Sequence, residues 1–524
     1  MTITMNELHD SRAEWPYPAL LPHSIKAYPI VQVAPRIGPQ RPEVWPPPMA
    51  ADVAAWKART SYFPSLGSQI YVHVPFCPFI CHFCPLYKVT KASDRTLDRK
   101  EEFVRALIEE IEIYGSIPAA AGHRYHAVYF GGGTPTELSP EQLSRILAAL
   151  RRNFTIGDDA EITLEGVARQ MLEPGYLERA FSYGFNRISF GVQSLDPRTR
   201  QRIGRGDKVD DYPALITLAR SLSRSANVNC EIMAGLPEQT YELFEQDLAG
   251  VMSWGTDSLD ILYYVHMAGT KLKQLVAKGK RSSPELGGPL LRLRKLTNNI
   301  FREAGWHQVT GEVFVRGERD LFVHTSFGGG GNALNSLLAL GPSGFGQLGG
   351  TVYHNVCDLD RYLESVRRRL LPVNTAQTLD LATAQRRALL MALLRLEIPE
   401  FLLEEGVGRR LASRWSLLGL IERVPGGHRL TERGALWYNH MQMEAMPAWE
   451  MLKIARMFGS IEEQRRSLAG DGDASSQSRE LLEMVRAQDN MGRVAEWAYQ
   501  AFLRVHKLPF FDQRAIGFTG AIDA

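Results

Sequence analysis

Six short β-rich runs alternate with helical stretches between residues 68 and about 315, and this alternation limits the possible folds more than any other feature. The runs cover residues 70–74, 126–130, 161–165, 186–190, 228–233 and 258–264. Helical periodicity fills the intervals at 97–114, 140–152, 170–183, 211–223 and 240–254. Ser139 before Pro140 reads as an N-cap followed by proline at the first helical position. Repeated strand–helix units imply a parallel sheet. Six of them predict an α/β partial barrel, open on one side, rather than a complete eight-fold one. Its chemistry is expected at the C-terminal ends of the strands.

The 524 residues exceed what one core supports, so smaller additions to the barrel are expected. Residues 1–67 form a Pro-rich N-terminal arm; ten of the 29 prolines fall in the first 50 residues. Proline removes a donor and fixes φ, so residues 1–50 are extended rather than helical, lying on the body or closing over a site as a lid. Residues 316–375 hold two glycine-dense stretches, 327–331 and 341–350, which let backbone approach a ligand or simply make flexible loops. Residues 376–445 predict a mostly helical, winged-helix-like domain, with a Pro425-Gly426-Gly427 turn between two strands. Residues 446–524 read as a helical tail with a flexible linker at 470–478. Lys and Arg number 60 against 58 Asp and Glu, a net charge of +2. That balance gives no electrostatic case for nucleic acid and favours a packing role for the winged-helix-like part. No apolar run reaches the roughly 18 residues a bilayer requires, and the polar N-terminus lacks the features of a signal peptide. A cytoplasmic, monomeric protein that takes a small-molecule substrate is expected, with no membrane partner.

Five cysteines are too few for a disulfide framework. Cys77, Cys81 and Cys84 cluster directly after the first strand with the spacing C-x3-C-x2-C, whereas Cys230 and Cys357 stand alone. Clustered thiols point to a metal or redox site. Zinc usually has a fourth ligand at matching spacing, and His82, between two of the thiols, is poorly placed to be one. A [4Fe–4S] cluster can be held by three thiolates, which leaves one iron open. Polar groups then recur at successive strand ends: Gly131-Gly132-Gly133-Thr134-Pro135, Glu165, Gln193 with Arg205 beyond it, and Glu231. Exposed N–H groups of a glycine run, with Thr134, suit a carboxylate or an amine. Cys230 lies within a strand run, the usual place of a small buried hydrophobe.

The cysteine spacing, with the aromatic Phe83 before the last cysteine, resembles the signature of radical S-adenosylmethionine (SAM) enzymes. The set YVHVPFC, GGGTPT, Glu165, GVQS and GLPEQT is similar to the oxygen-independent coproporphyrinogen III oxidase group, over about residues 68–440. Relatives of that group include anaerobilin synthases, radical methyltransferases and cyclopropanating enzymes. The resemblance implies a [4Fe–4S] cluster on Cys77, Cys81 and Cys84, whose open iron chelates SAM for reductive cleavage to a 5′-deoxyadenosyl radical. It implies that Tyr71, Gly132, Gly133, Thr134, Glu165, Gln193 and Arg205 hold the first SAM, with Glu231 helping to place it. Phe83, Gly131 and the stretch around Val265 would contact a second SAM. An electron donor such as flavodoxin or ferredoxin is implied. The sequence departs from the oxidase pattern in three places. Pro85-Leu86 stands where oxidases have Gly-Cys, Glu231 stands where Asp is common, and Phe327 lies where the oxidase has a glutamine. These departures favour methyl or methylene transfer from the second SAM to an sp2 carbon. Oxidative decarboxylation of coproporphyrinogen is the alternative, and a haem-trafficking relative is a third reading.

Overall fold

A computed structural model describes residues 36–59, 67–264, 270–282, 288–317, 336–404 and 406–446. The first 35 residues of the Pro-rich arm, Val265, Phe327, the 470–478 linker and the rest of the tail lie outside the described residues.

The barrel strands are β1 Ser68–Val74, β2 Arg124–Gly132, β3 Thr155–Gly166, β4 Arg187–Gln193, β5 Asn227–Ala234 and β6 Ser258–Tyr263. They pair in that order, every neighbour parallel. The first helices are α1 Ala51–Arg59, α2 Leu97–Gly115, α3 Pro140–Asn153, α4 Tyr176–Ser182, α5 Pro197–Ile203, α6 Asp211–Leu222 and α7 Tyr241–Ser253. The N-cap expected at α3 is present, and it is part of a capping box: Ser139 and Gln142 exchange side-chain and backbone hydrogen bonds. The six strands do not close on one another. β1 pairs on its far side with β9 Leu337–Leu340, and β6 pairs with β8 Val313–Val315, which is flanked by β7 His307–Gln308. The α/β reading and the open side both hold.

Two expectations change. The helix expected over 170–183 is broken: Pro174 and Gly175 interrupt it, and Gly175 takes φ +72° as α4 begins. The centre of the glycine-dense 341–350 stretch, Phe345–Leu348, is strand between two turns rather than loop throughout. β10 Phe345–Leu348 and β11 Thr351–Asn355 make an antiparallel hairpin that continues to β12 Val373–Thr378. The physical reason is packing: a Cβ on Gly346 would run into the Tyr353 ring, so glycine here makes room for an aromatic.

Beyond the sheet, α8 Lys271–Ala277, α9 Gly288–Glu303 and α10 Leu359–Arg367 precede the C-terminal part. There, α11 Leu381–Leu394, α12 Gly406–Leu417 and α13 Glu432–Ala445 surround a three-stranded sheet of β13 Glu397–Pro399, β14 Ile421–Val424 and β15 Gly427–Leu430. Gly426, at φ +83°, closes the β14–β15 turn. Trp415, Tyr438 and Met441 centre its separate core, which also takes Val53 and Trp56 of α1.

A buried carboxyl ties α2 to the sheet extension. Glu110 accepts from the Gly341 N–H at 2.8 Å, the Tyr362 hydroxyl at 2.7 Å and Asn355 Nδ2 at 3.3 Å. Burial pushes it up from 4.5 to about 7 against the pull of those donors. The folded chain therefore holds this proton more tightly than the unfolded chain. Stability from this group is fully present below about pH 4.5 and fades as pH rises through 7, by roughly 3 kcal/mol at most. In Glu110→Gln the denaturant midpoint is expected to lose that fall between pH 5 and 8; an unchanged pH slope would contradict it.

Candidate active site

Strand pleating sorts the barrel residues into two faces. Ile70, Val72, Phe130, Leu164, Ile188, Phe190, Cys230 and Ile261 are buried and apolar and belong to the main core. The alternate positions are polar. In register across the sheet lie Tyr71, Tyr129, Thr163, Arg187 and Asn227, then His73, Gly131, then Glu165, Ser189, Asn229 and Ser258, and last Glu231 with Asp260. The inner face is therefore a polar surface that rises to the strand ends. Cys230 points the other way and is fully buried. Cys230→Ser is expected to keep wild-type iron content in reconstituted protein; loss of iron would put this thiol in the site after all.

At the strand ends the sequence-selected residues fall as follows. Cys77 is buried just past β1, its N–H bonded to the Val89 carbonyl at 3.1 Å. Cys81 and Cys84 are half-buried. Burial pushes the Cys77 thiol up to about 12, and the nearby thiols of Cys84 and Cys81 add to the effect. The Thr134 hydroxyl, 3.7 Å from the Cys77 sulfur, and the Lys88 ammonium oppose it. Arg205 Nη1 lies 3.7 Å from the Cys81 sulfur. Its guanidinium also pairs with Asp207 at 2.6 Å, bonds the Gly191 carbonyl and lies over the Phe79 ring.

The loop carrying the thiols is pinned to the barrel by backbone. The His82 N–H bonds Ile203 O and the His82 carbonyl accepts from Leu272 N–H, both at 2.7 Å. Phe83 packs on Ile203, Met233, Leu236, Tyr264 and Leu272. Gly133 N–H bonds Val74 O at 2.8 Å, which lays the glycine run against the root of this loop. Gly132 takes φ +103°, and a Cβ there would meet His73 Nδ1 at 2.5 Å.

The remaining residues form the inner wall. Tyr71 OH and His73 Nδ1 are 3.1 Å apart, and Tyr71 stacks on Tyr129 at 6.3 Å. Burial holds His73 down at about 4, so it is neutral at physiological pH. Glu165 is held well above the usual carboxylate range by burial and by the charge of Glu231, with Asp260 adding to it. Tyr129 OH and the Gly132 N–H bond Glu165 and pull the other way. A β-bulge after Gly191 puts Gln193 in left-handed backbone, φ +68°. Its Nε2 lies 3.5 Å from Glu231 Oε2, and its buried Oε1 has no hydrogen-bond partner. Asp260, His73 and the buried polar residues below them were not selected from the sequence. Their signal was the period-two polarity of the strands.

The residues present fit an iron–sulfur cluster with a SAM molecule beside it. The three thiols share one loop and feel each other's charge, with Arg205 and Lys88 as nearby cations. Among the described residues no three His, Cys, Asp or Glu side chains converge on a position for a single metal ion. The orphaned Gln193 Oε1 and the carboxylates of Glu165 and Glu231 offer acceptors for an amine or for ribose hydroxyls.

Comparison with known proteins agrees. Residues 71–249 match the model of the radical SAM superfamily. The chain is 30% identical over 314 residues to the oxygen-independent coproporphyrinogen III oxidase of Escherichia coli K12, covering 58% of this chain and 66% of that protein, just under two thirds of its length. It is 28% identical over 379 residues to the anaerobilin synthase of Escherichia coli O157:H7, covering 71% and 82%. The solved Escherichia coli coproporphyrinogen III oxidase, described as a radical SAM enzyme, superposes with a TM-score of 0.62 at 24% identity. That match covers 75% of this chain and 93% of the other and shows the shared fold. None of the described helices is long and apolar enough to cross a membrane. The chain thus carries a radical SAM domain and is a homologue of the oxygen-independent coproporphyrinogen III oxidases and of anaerobilin synthase.

Proposed function

We propose that this radical SAM enzyme acts on coproporphyrinogen III or a close chemical relative and oxidatively decarboxylates its propionate side chains. The observation that carries this reading is the reach of the likeness. It runs over 314 residues, well beyond the length of the 71–249 domain, in a relative named as an oxygen-independent coproporphyrinogen III oxidase. In this reading Cys77, Cys81 and Cys84 hold the [4Fe–4S] cluster, which together with SAM supplies reductive C–S cleavage and a hydrogen-abstracting radical. Tyr71, Gly132, Gly133, Thr134, Glu165, Gln193, Arg205 and Glu231 bind and orient SAM. The thiol loop, held on the barrel by its backbone bonds, keeps water from that position. A flavodoxin or ferredoxin supplies the electron, and the chain works as a single subunit.

A second reading is methyl or methylene transfer from a second SAM seated near Phe83, Gly131 and Val265. The observation favouring it is Pro85-Leu86 in place of the oxidases' Gly-Cys. The test is anaerobic turnover of the reconstituted protein with SAM, a reductant, an electron acceptor and coproporphyrinogen III. Decarboxylation is expected to yield 5′-deoxyadenosine together with CO2. S-adenosylhomocysteine accumulating beside 5′-deoxyadenosine, without CO2, would overturn it in favour of transfer.

A further inference from the structure

We propose that a buried hydrogen-bond relay through the barrel interior, running from Arg187 through Ser258, Asn229, Ser189 and Tyr129, aims the Glu165 carboxylate at SAM, which makes Ser258 and Asn229 positioning residues. This rests on the reading of Glu165 as a residue that holds SAM. The relay begins at a cation. Arg187 is fully buried and donates from Nη2 to Ser258 Oγ and from Nη1 to Thr163 Oγ1, both at 3.4 Å, with Glu161 Oε2 3.9 Å from Nε. Ser258 Oγ donates to Asn229 Oδ1 at 2.6 Å, and Asn229 Nδ2 donates to Ser189 Oγ at 3.0 Å. The Ser189 hydroxyl holds the Tyr129 phenol down and the Tyr129 hydroxyl does the same for Glu165, and the Tyr129 ring and Glu165 Oε2 converge at Gly131, each 2.6 Å from where a Cβ there would lie. The Gly132 N–H bonds the same carboxylate.

The direction follows from chemistry. A guanidinium only donates. Were the Asn229 amide turned round, Ser258 would accept from both Arg187 and Asn229, and its own proton would lose its acceptor. Only the stated orientation passes each hydroxyl proton upward, so the chain is polarised from a cation to a carboxylate. Arg187, Ser189, Asn229 and Ser258 are all fully buried and Tyr129 nearly so. Barrel interiors are ordinarily filled by branched apolar side chains, and buried polar groups are costly unless bonded. Four strands contribute to this one, and it ends on a single side chain.

The groups acting on Glu165 are Tyr129 and the Gly132 N–H from β2, Glu231 from β5 and Asp260 from β6; Tyr71 of β1 stacks on Tyr129 and lies 3.1 Å from His73 Nδ1. Glu231 and Asp260 oppose its ionisation, while the Tyr129 hydroxyl at the head of the relay and the Gly132 N–H favour it. A cationic ligand requires the carboxylate ionised. Cutting the relay should therefore move SAM binding to higher pH rather than weaken it at every pH alike.

The test measures SAM binding to anaerobically reconstituted holoenzyme by equilibrium dialysis between pH 6 and 9, with iron content checked for each variant. Ser258→Ala is expected to weaken binding about threefold at pH 7 and Tyr129→Phe about tenfold, the size of a lost bond to a charged group. Both losses should shrink by pH 9, and Ser258→Thr should bind as wild type. Glu165→Gln should lose affinity across the range without recovery. Equal weakening of Ser258→Ala at every pH, or no weakening while Glu165→Gln fails, overturns the relay alone. Wild-type binding by Glu165→Gln overturns the reading of Glu165, and the relay's role with it.

Discussion

Alanine at any one of Cys77, Cys81 and Cys84 is expected to abolish reductive SAM cleavage and to strip most of the iron from reconstituted protein. Each thiolate would bond one iron of the cubane, so losing one leaves an iron without a protein ligand. Replacement from elsewhere is barred by placement. Cys230 faces the helices, fully buried on the opposite side of its strand. Cys357 lies near Ser343 and His354, with its sulfur 3.6 Å from Ser343 Oγ. The three thiols also differ in setting: Cys77 is buried against the strand ends, whereas Cys81 lies beside the Arg205 guanidinium. A positive charge near a thiolate favours the form that binds metal. Cys77→Ala is therefore expected to be the most damaging to assembly, because the buried end of the loop loses its anchor. Iron and sulfide assays with the visible absorbance read this directly. Full iron content and charge-transfer absorbance in the triple variant would remove the cluster from this loop.

How much of this site could be read from the chain depends on how local each signal is. The thiol spacing, the glycine run and Glu165 are visible because each occupies a few consecutive residues at the end of a β-rich run. The inner polar face is legible in the same way: in Ile70-Tyr71-Val72-His73-Val74 every second residue is polar, which is the pleat written into sequence. Other features are not local. Arg187, Ser258 and Asn229 look like ordinary strand polars until three strands bring them together across 71 residues of chain. Gln193 owes its inward aim to a bulge that no run of residue types announces. The sheet extension is hidden because its strands are four to six residues long, lie between glycine-rich turns, and include Gly346, which packs beside Tyr353, so they read as loop. The break at Pro174-Gly175 was a readable signal, outweighed by the apolar periodicity on either side.

A single methyl group at Gly133 is expected to be as damaging as the loss of a thiol. Gly133 carries no side chain that could bind anything, so any effect must come through space. An added Cβ would lie 2.6 Å from Phe76 O and 2.7 Å from Val74 O. Both obstacles are backbone, and neither can swing aside as a flexible side chain could. Val74 also accepts the Gly133 N–H at 2.8 Å, so moving it breaks the bond that holds the glycine run to β1. Phe76 immediately precedes Cys77 and packs edge-on against Phe103 of α2 at 5.5 Å, so the shift is transmitted to the first thiol. Thr134, next in the chain, would move away from the Cys77 sulfur at the same time. A displacement of about 1 Å at a positioned reacting group costs on the order of 100-fold in rate. Gly133→Ala is thus expected to lower SAM cleavage at least about 100-fold while the rest of the barrel keeps its circular dichroism. Gly157→Ala is the control: it would meet Asp159 Oδ1 at 2.7 Å and Arg124 Nη2 at 2.9 Å, far ends of side chains that can turn away. Comparable cleavage rates in Gly133→Ala and wild type would show that the glycine run does not bear on the thiol loop.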